Sequence, residues 1–449
     1  MLRGSSPILA LAPMQDVTDL PFWKLMGGYG GADVYFTEYF RVHATSHLEH
    51  WILKSITDNP TGRPVIAQMI GNDIPSLVRT ARELQQYPIV AVDLNLGCPA
   101  PVVYRKCAGG GLLREPQRVD AILGALRDAI SLKFTVKTRL GFDSPLVFDE
   151  LLPMFAKHSI DLLTVHGRTV AEMYRSDVHY DYIARAVAGL PCPVLANGNV
   201  YSVETADDVL RLTGAKGLMV GRGAIRNPWL FHQIRQHRRG ETIFVPAGHD
   251  VLAYVRALYD AVCSPGVREL SQVQKMKKYM NYLGAGVEPT GQFLHRIRRA
   301  TTKADFFRVC EDFLNHDQPM SLEPMQIEPR AMEVSHAGGV RVSEACLSHR
   351  PTRCRQRRTF AVERRAAIER AFAPSAARAS PRVLGAGRAN PDRRRAAEVG
   401  TRRPDSGAKN PAVPGVAAET AAATAAARSA DPPAQECSRL LDRIGTRRR

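Results

Sequence analysis

Alternation of short apolar runs with helical stretches predicts an α/β protein built on a (β/α)8 TIM barrel, followed by a small helical domain and a basic tail. Three observations carry this expectation. Eight strand-like runs fall within about 215 residues, nearly every run ends in a polar, ionisable or glycine residue, and the strand pattern stops near residue 240. Regular β/α alternation implies right-handed crossovers and a parallel sheet. Eight such units fit a closed barrel better than an open doubly wound sheet.

In order, the runs are ILALAPM (8–14), DVYFTEY (33–39), PVIAQMIG (64–71), IVAVDLNLG (89–97), FTVKTRLG (134–141), DLLTVHG (161–167), PVLANGN (193–199) and GLMVGRG (217–223). Helical patterns such as IPSLVRTARELQQY and VETADDVLRLTG lie between them. The run ends read Pro13-Met14-Gln15, Glu38, Gln68, Asn95 to Cys98, Lys137 and Arg139, His166 and Arg168, Asn197-Gly198-Asn199, and Gly221-Arg222-Gly223. Barrel active sites lie at the C-terminal ends of the strands, so polar endings in register point to a site. The domain division is 1–240 for the catalytic barrel, 241–317 for the helical domain and 318–449 for a tail expected to be disordered.

Charge is unevenly spread. The chain carries +17, and residues 318–449 hold 24 Arg and one Lys against 13 acidic residues, leaving +5 for the first 317. The tail is rich in Ala, Pro and Arg and nearly lacks aromatics, so it cannot bury enough apolar surface to offset chain entropy. It is either a disordered appendage or a segment with RNA affinity through counterion release. In the helical region, Lys275, Lys277 and Lys278 and then Arg296, Arg298 and Arg299 form two clusters. They read as a solvated face or as a surface for a phosphate backbone.

Eight cysteines in 449 residues, with no C-x-x-C pair, rule out a disulfide scaffold. The first residues make a poor signal peptide, and no stretch reaches 18 uninterrupted apolar residues. The expectation is a soluble, cytoplasmic protein with reduced cysteines.

LNLGCPAPVVYRKCAGGG holds two cysteines nine positions apart. Cys98 and Cys107 supply no further zinc ligands at the needed spacing, and eight intervening residues make a poor redox dithiol. An acid–base thiol at Cys98 remains, with Cys107 a small packing residue before the glycine turn. ANGNV and GLMVGRGA bring Asn197, Gly198, Asn199, Gly221 and Arg222 to the loops after strands 7 and 8, where barrels often hold phosphate. Lys137 has two readings, a Schiff base or a charge partner for a cofactor ring. Gln68 suits a heterocycle edge, and His166 reaches either phosphate or ring. Together these residues suggest a bound flavin mononucleotide.

LAPMQDVTD, FTEYFRV, AQMIG, DLNLGCP with AGGGLL, VKTRLG, TVHGRT, ANGNV and VGRGA resemble, in order, the motifs of the tRNA-dihydrouridine synthases. The resemblance covers residues 8 to about 230, with a helical domain similar to the family's tRNA-binding domain to about 317. It implies reduction of the C5=C6 bond of specific tRNA uridines by FMN, with NADPH as reductant. Cys98 falls on the catalytic acid that protonates C5 after hydride reaches C6. Asn95, Arg139 and Tyr174 match positions near the target uracil. Pro13, Met14, Gln15, Gln68, Lys137, His166, Asn197, Gly198, Asn199, Gly221 and Arg222 match FMN-binding positions. Asn199 departs from the family, which commonly has an acidic residue there; a backbone contact would leave little changed, whereas a carboxylate contact would cost flavin affinity. The expected partners are tRNA, with no membrane and no metal, and the expected state is a monomer. The alternatives are an FMN barrel acting on a free small molecule and an inactive RNA-binding barrel.

Overall fold

The computed structural model describes residues 6–325; the arginine-rich segment beyond Met325 lies outside the described residues. Eight parallel strands close into one ring: β1 (Ile8–Leu11), β2 (Val34–Phe36), β3 (Val65–Ile70), β4 (Ala91–Leu96), β5 (Lys133–Arg139), β6 (Leu162–His166), β7 (Val194–Asn197) and β8 (Gly217–Val220). Each pairs with the next, and Ile8↔Gly217 through Leu11↔Val220 closes β1 onto β8. The predicted barrel is therefore present.

One run departs from its sequence reading. DVYFTEY breaks after Phe36 and resumes as the two-residue strand Phe40–Arg41, paired to Met69 and Ile70 of β3. Across the break, Thr37 Oγ1 accepts the Gln68 N–H at 3.0 Å, and Glu38 accepts the Asp16 N–H. Sequence periodicity cannot show such a break, because its residues keep strand-like character.

Side chains alternate across each strand, and the ring sorts them unequally. Ala10, Phe36, Ile66, Leu162, Leu195 and Met219 pack as an apolar cluster separate from the main core. Val92, Leu94, Leu96, Phe134, Val136, Leu163 and Val165 join the larger core that the surrounding helices cover. Between these, Gln68, Asp93, Thr135 and Thr164 are buried polar residues on β3 to β6. A barrel interior is usually filled by branched apolar side chains, so this polar layer is a departure.

Local signals start the helices. Asp19 caps Leu20–Gly28, Asp73 caps Ile74–Leu84 by accepting the Ser76 N–H, and Ser202 and Thr205 form a capping box before Val203–Thr213. Gly214, at φ 64°, ends that last helix.

Beyond the barrel lie Gly248–Val262, Glu269–Leu283, Gln292–Ile297 and Lys303–Leu314. The run FLHRIRRATTKADFFRVCEDFL thus forms two helices. Thr302 caps the second by accepting the Asp305 N–H, which explains the division. Residues 318–325, assigned from sequence to the tail, pack against this region: Met320 and Leu322 are buried, and Pro319 bridges Ala247. Two tyrosines tie helices to the barrel, with Tyr279 Oη donating to Val17 O at 2.8 Å and Tyr254 Oη to Ile225 O at 2.9 Å.

Ring closure depends on a missing side chain. A Cβ on Gly217 would lie 2.2 Å from Ile8 O. Gly217→Ala is expected to cost about 2 kcal/mol or more, read as a lower urea midpoint with unchanged slope. An unaltered midpoint would show that β1 and β8 do not approach this closely.

Candidate active site at the strand ends

Cys98 sits one turn beyond β4, in a loop held by side chains from three strands. Asn95 Oδ1 accepts the N–H groups of Gly97 and Cys98 at 2.9 and 3.0 Å, while its Nδ2 donates to Gln68 Oε1 at 2.8 Å. Arg139 Nε donates to Gly97 O at 3.0 Å. Behind the thiol, Gly110 donates to Cys98 O at 3.2 Å, and a Cβ on Gly110 would lie 2.9 Å from that oxygen. The glycine run therefore lets the chain press against the cysteine loop. Burial pushes the phenol of Tyr39, from the break in β2, up to about 12, and the nearby Cys98 thiol adds to the rise. Cys107 lies at φ 51°, half-buried, at the turn after the helix Pro101–Tyr104. Its place is a turn rather than a packed interior.

A cationic cavity lies across the mouth, lined by Pro13, Met14, Lys137, His166, Asn197, Gly198, Asn199, Gly221, Arg222 and Tyr174. Burial lowers the Lys137 ammonium to about 8, helped by Arg139. Burial and then the cations Arg139, Lys137, Arg168 and Arg222 hold His166 well below its ordinary range, so its ring is neutral. His166 Nε2 lies 3.3 Å from Arg168 Nη1. A guanidinium only donates, so Nε2 accepts and the ring proton resides on Nδ1.

Asn199 carries the anion side of this arrangement. Its Oδ1 accepts from Tyr201 Oη at 2.6 Å, Arg168 Nη2 at 3.2 Å and Arg222 Nη2 at 3.3 Å. A neutral amide orients both guanidinium groups without cancelling their charge. Asn also tolerates the left-handed backbone found here, φ 48°. Close packing completes the cradle: a Cβ on Gly223 would lie 2.1 Å from Val200 O.

The sequence-predicted residues do not all meet in one place. Pro13, Met14, Lys137, His166, Asn197, Gly198, Asn199, Gly221, Arg222 and Tyr174 share the cavity. Gln68 and Asn95 lie beside it on β3 and β4, bonded to each other. Gln15 does not line the cavity, and its Oε1 is buried without a hydrogen-bond partner. Arg139 is 1% exposed and donates to the carbonyls of Gly97, Thr169 and Met173. It braces two loops, a role that residue type alone does not show. Tyr39, Asp93 and Tyr201 were missed. A charged residue in the middle of the buried run AVDLNL was the available signal for Asp93.

The basic clusters are partly neutralised. Lys275 pairs with Asp19 at 3.5 Å and Lys278 with Asp16 at 3.7 Å, while Arg296 pairs with Asp312. These lysines border a cleft of about 1010 Å³ between Glu269–Leu283 and the barrel mouth, with Trp51, Lys54 and Glu38 on the barrel side. No cluster of residues suited to a metal ion is found among the described residues, and none of the described helices is long and apolar enough to cross a membrane.

Fold and strand ends together define a (β/α)8-barrel protein whose site faces the C-terminal rim. Residues 10–318 match the family model described as dihydrouridine synthase (Dus). The chain belongs to the dihydrouridine synthase family. It is 28% identical over 313 residues to the tRNA-dihydrouridine(16) synthase of Neisseria meningitidis serogroup A, covering 68% of this chain and 94% of that protein. It is 30% identical over 338 residues to a probable tRNA-dihydrouridine synthase of Helicobacter pylori, covering 71% and 96%. Against the tRNA-dihydrouridine synthase B of Pasteurella multocida, identity is 29% over 312 residues, covering 68% and 92%.

Glu38 offers a pH test of the mouth. Burial pushes its carboxyl up to about 7, with Asp19 and Asp16 adding to the rise and the Asp16 N–H opposing it. A raised pKa means that the folded state holds the proton more tightly. The stabilising contribution is full below the unfolded value of 4.5 and is lost as pH rises through about 7. Between pH 5 and 8, the parent protein should lose up to about 3 kcal/mol more stability than Glu38→Gln in urea titrations. Parallel losses in the two proteins would place Glu38 in water.

Proposed function

We propose that this protein is a tRNA-dihydrouridine synthase that reduces the C5=C6 bond of a uridine in tRNA, using FMN with NADPH as reductant. One observation carries the reading: a cysteine loop held at the end of β4 shares one barrel mouth with a cavity lined by Lys137, His166 and Arg222. Family membership supplies the reaction class.

The residues present fit a flavin mononucleotide. Arg222 suits its phosphate by charge-assisted bonding, and Asn199 holds that guanidinium at the cavity. Lys137 adds a positive charge for an electron-rich ring. When bound and reduced, the flavin supplies the hydride for C6.

The protein's own part is positional and acid–base. Cys98 Sγ–H delivers the proton to C5, from a loop whose backbone Asn95 and Arg139 restrain. Tyr39 lies close enough to Cys98 for the two groups to influence each other's charge. Neutral His166 can donate from Nδ1 without adding a charge that would compete with Arg222. The target base must leave its stack to enter a barrel mouth. The cleft beside Lys275, Lys277 and Lys278 has the size to follow an RNA backbone, with Lys54 and Lys277 as cations outside the Asp16 and Asp19 ion pairs.

Cys98→Ala should keep flavin and tRNA affinity yet lose about 10²–10⁴-fold in reduction rate, measured by mass spectrometry of tRNA that starts without dihydrouridine. Cys107→Ala should stay active. Equal losses would favour a thiol pair, and turnover of a free pyrimidine with none on tRNA would favour a small-molecule reductase. Arg222→Ala is expected to weaken flavin binding roughly tenfold or more, read by titrating the apoprotein with FMN; unchanged affinity would remove Arg222 from the phosphate site.

A further inference from the structure

Inside the barrel, a buried carboxylate begins a chain of directed hydrogen bonds that ends at the cysteine loop. Asp93 Oδ1 accepts from Thr135 Oγ1 at 2.6 Å, and its Oδ2 accepts from Gln68 Nε2 at 2.8 Å. Gln68 therefore turns its Oε1 toward β4, where it accepts from Asn95 Nδ2 at 2.8 Å. Asn95 must then turn its Oδ1 to the N–H groups of Gly97 and Cys98. Each amide in this chain has one sensible orientation, because a carboxylate at its head can only accept.

We propose that Asp93 is a positioning residue: it sets the polarity of the Gln68–Asn95 amide chain and thereby fixes the backbone that presents the Cys98 thiol. The step from Asp93 to Cys98 rests on hydrogen bonds alone; the importance of that thiol for uridine reduction rests on the function proposed above. Asp93 is 0% exposed, and ionic residues are rarely retained so deep without a partner or a task. Burial raises its carboxyl to about 6, against the lowering effect of the Thr135 and Gln68 bonds and the Lys137 charge. It is thus still mainly an acceptor at neutral pH. A neutral Asn could turn either end of its amide to Gln68, and both downstream amides would lose their enforced orientation.

The test moves the carboxylate one step along the chain. In Asp93→Asn, the head can donate, so Gln68 and Asn95 are free to flip. In Asp93→Asn with Gln68→Glu, residue 68 accepts from both neighbours, and Asn95 is again forced to face Gly97 and Cys98 with its oxygen. Gln68→Glu alone sets two carboxylates against each other. The readout is iodoacetamide labelling of Cys98 relative to Cys107 in the full chain, quantified by peptide mass spectrometry. Either single variant should change that ratio roughly threefold or more, and the double variant should return it to within about twofold of the parent. If Asp93→Asn does not fold, the comparison of Gln68→Glu with the double variant gives the same test. A ratio unmoved by the single variants, or a double variant no closer to the parent than either single, would overturn the proposal. Labelling does not require tRNA reduction. A parent protein that fails to reduce tRNA while the labelling pattern holds would therefore sink the function and leave the positioning role standing.

Discussion

A closed parallel ring has no edge, so each inward side chain must find its partner inside the barrel or at its mouth. This constraint governs the rest of the molecule. One layer of the interior is filled with Ala10, Phe36, Ile66, Ala91, Leu162, Leu195 and Met219. Toward the mouth, β3 to β5 carry Gln68, Asp93, Asn95 and Thr135, whose polar atoms bond to one another across neighbouring strands, while Lys137 reaches Asn197. Parallel register makes that bonding regular. Residues 68, 93 and 135 are direct neighbours in the ladder, as are 95 and 137. The same register that holds the sheet therefore aligns the groups that shape the mouth.

The mouth is electrostatically divided. Lys137, Arg168 and Arg222 collect on the side of β5 to β8, and a neutral amide at Asn199 orients two of them. Glu38, Asp16 and Asp19 collect on the opposite side, where lysines of the helix Glu269–Leu283 meet them. Cys98 lies between these regions. Such an arrangement sets a cation-lined cavity apart from an ion-paired rim where carboxylates and lysines meet. Arg139 links the β4 loop to the loop after β6 through three carbonyls, so the thiol and the cation cavity share one brace.

Much of this was legible in the sequence because it depends on local pattern. The eight runs, the glycine-bearing ends of β7 and β8, and Cys98 in its Gly-Cys-Pro turn all lie within a few residues of their own signals. What was not legible involves partners far apart in the chain. Arg139 resembles a ligand-binding residue until its carbonyl partners, some 30 to 42 positions away, are seen. Lys275 and Lys278 resemble a free basic face until Asp19 and Asp16 meet them. Tyr39 looked like an ordinary strand residue, because the break that turns it toward Cys98 leaves no mark on hydropathy. Asp93 was the exception, a visible anomaly in an apolar run whose meaning needed Gln68 and Thr135 in place.

The bond from Tyr279 to Val17 spans 262 residues of chain. On a ribosome adding roughly 5–20 residues per second, Val17 would wait about 13–52 s for its partner to emerge. Over most of that interval β1 also lacks β8, its neighbour across the closure. The nascent chain must therefore carry an unfinished, sticky sheet for much of its synthesis. Acidic residues at 16 and 19, placed beside that open end, would lend it solubility before they serve as ion-pair partners.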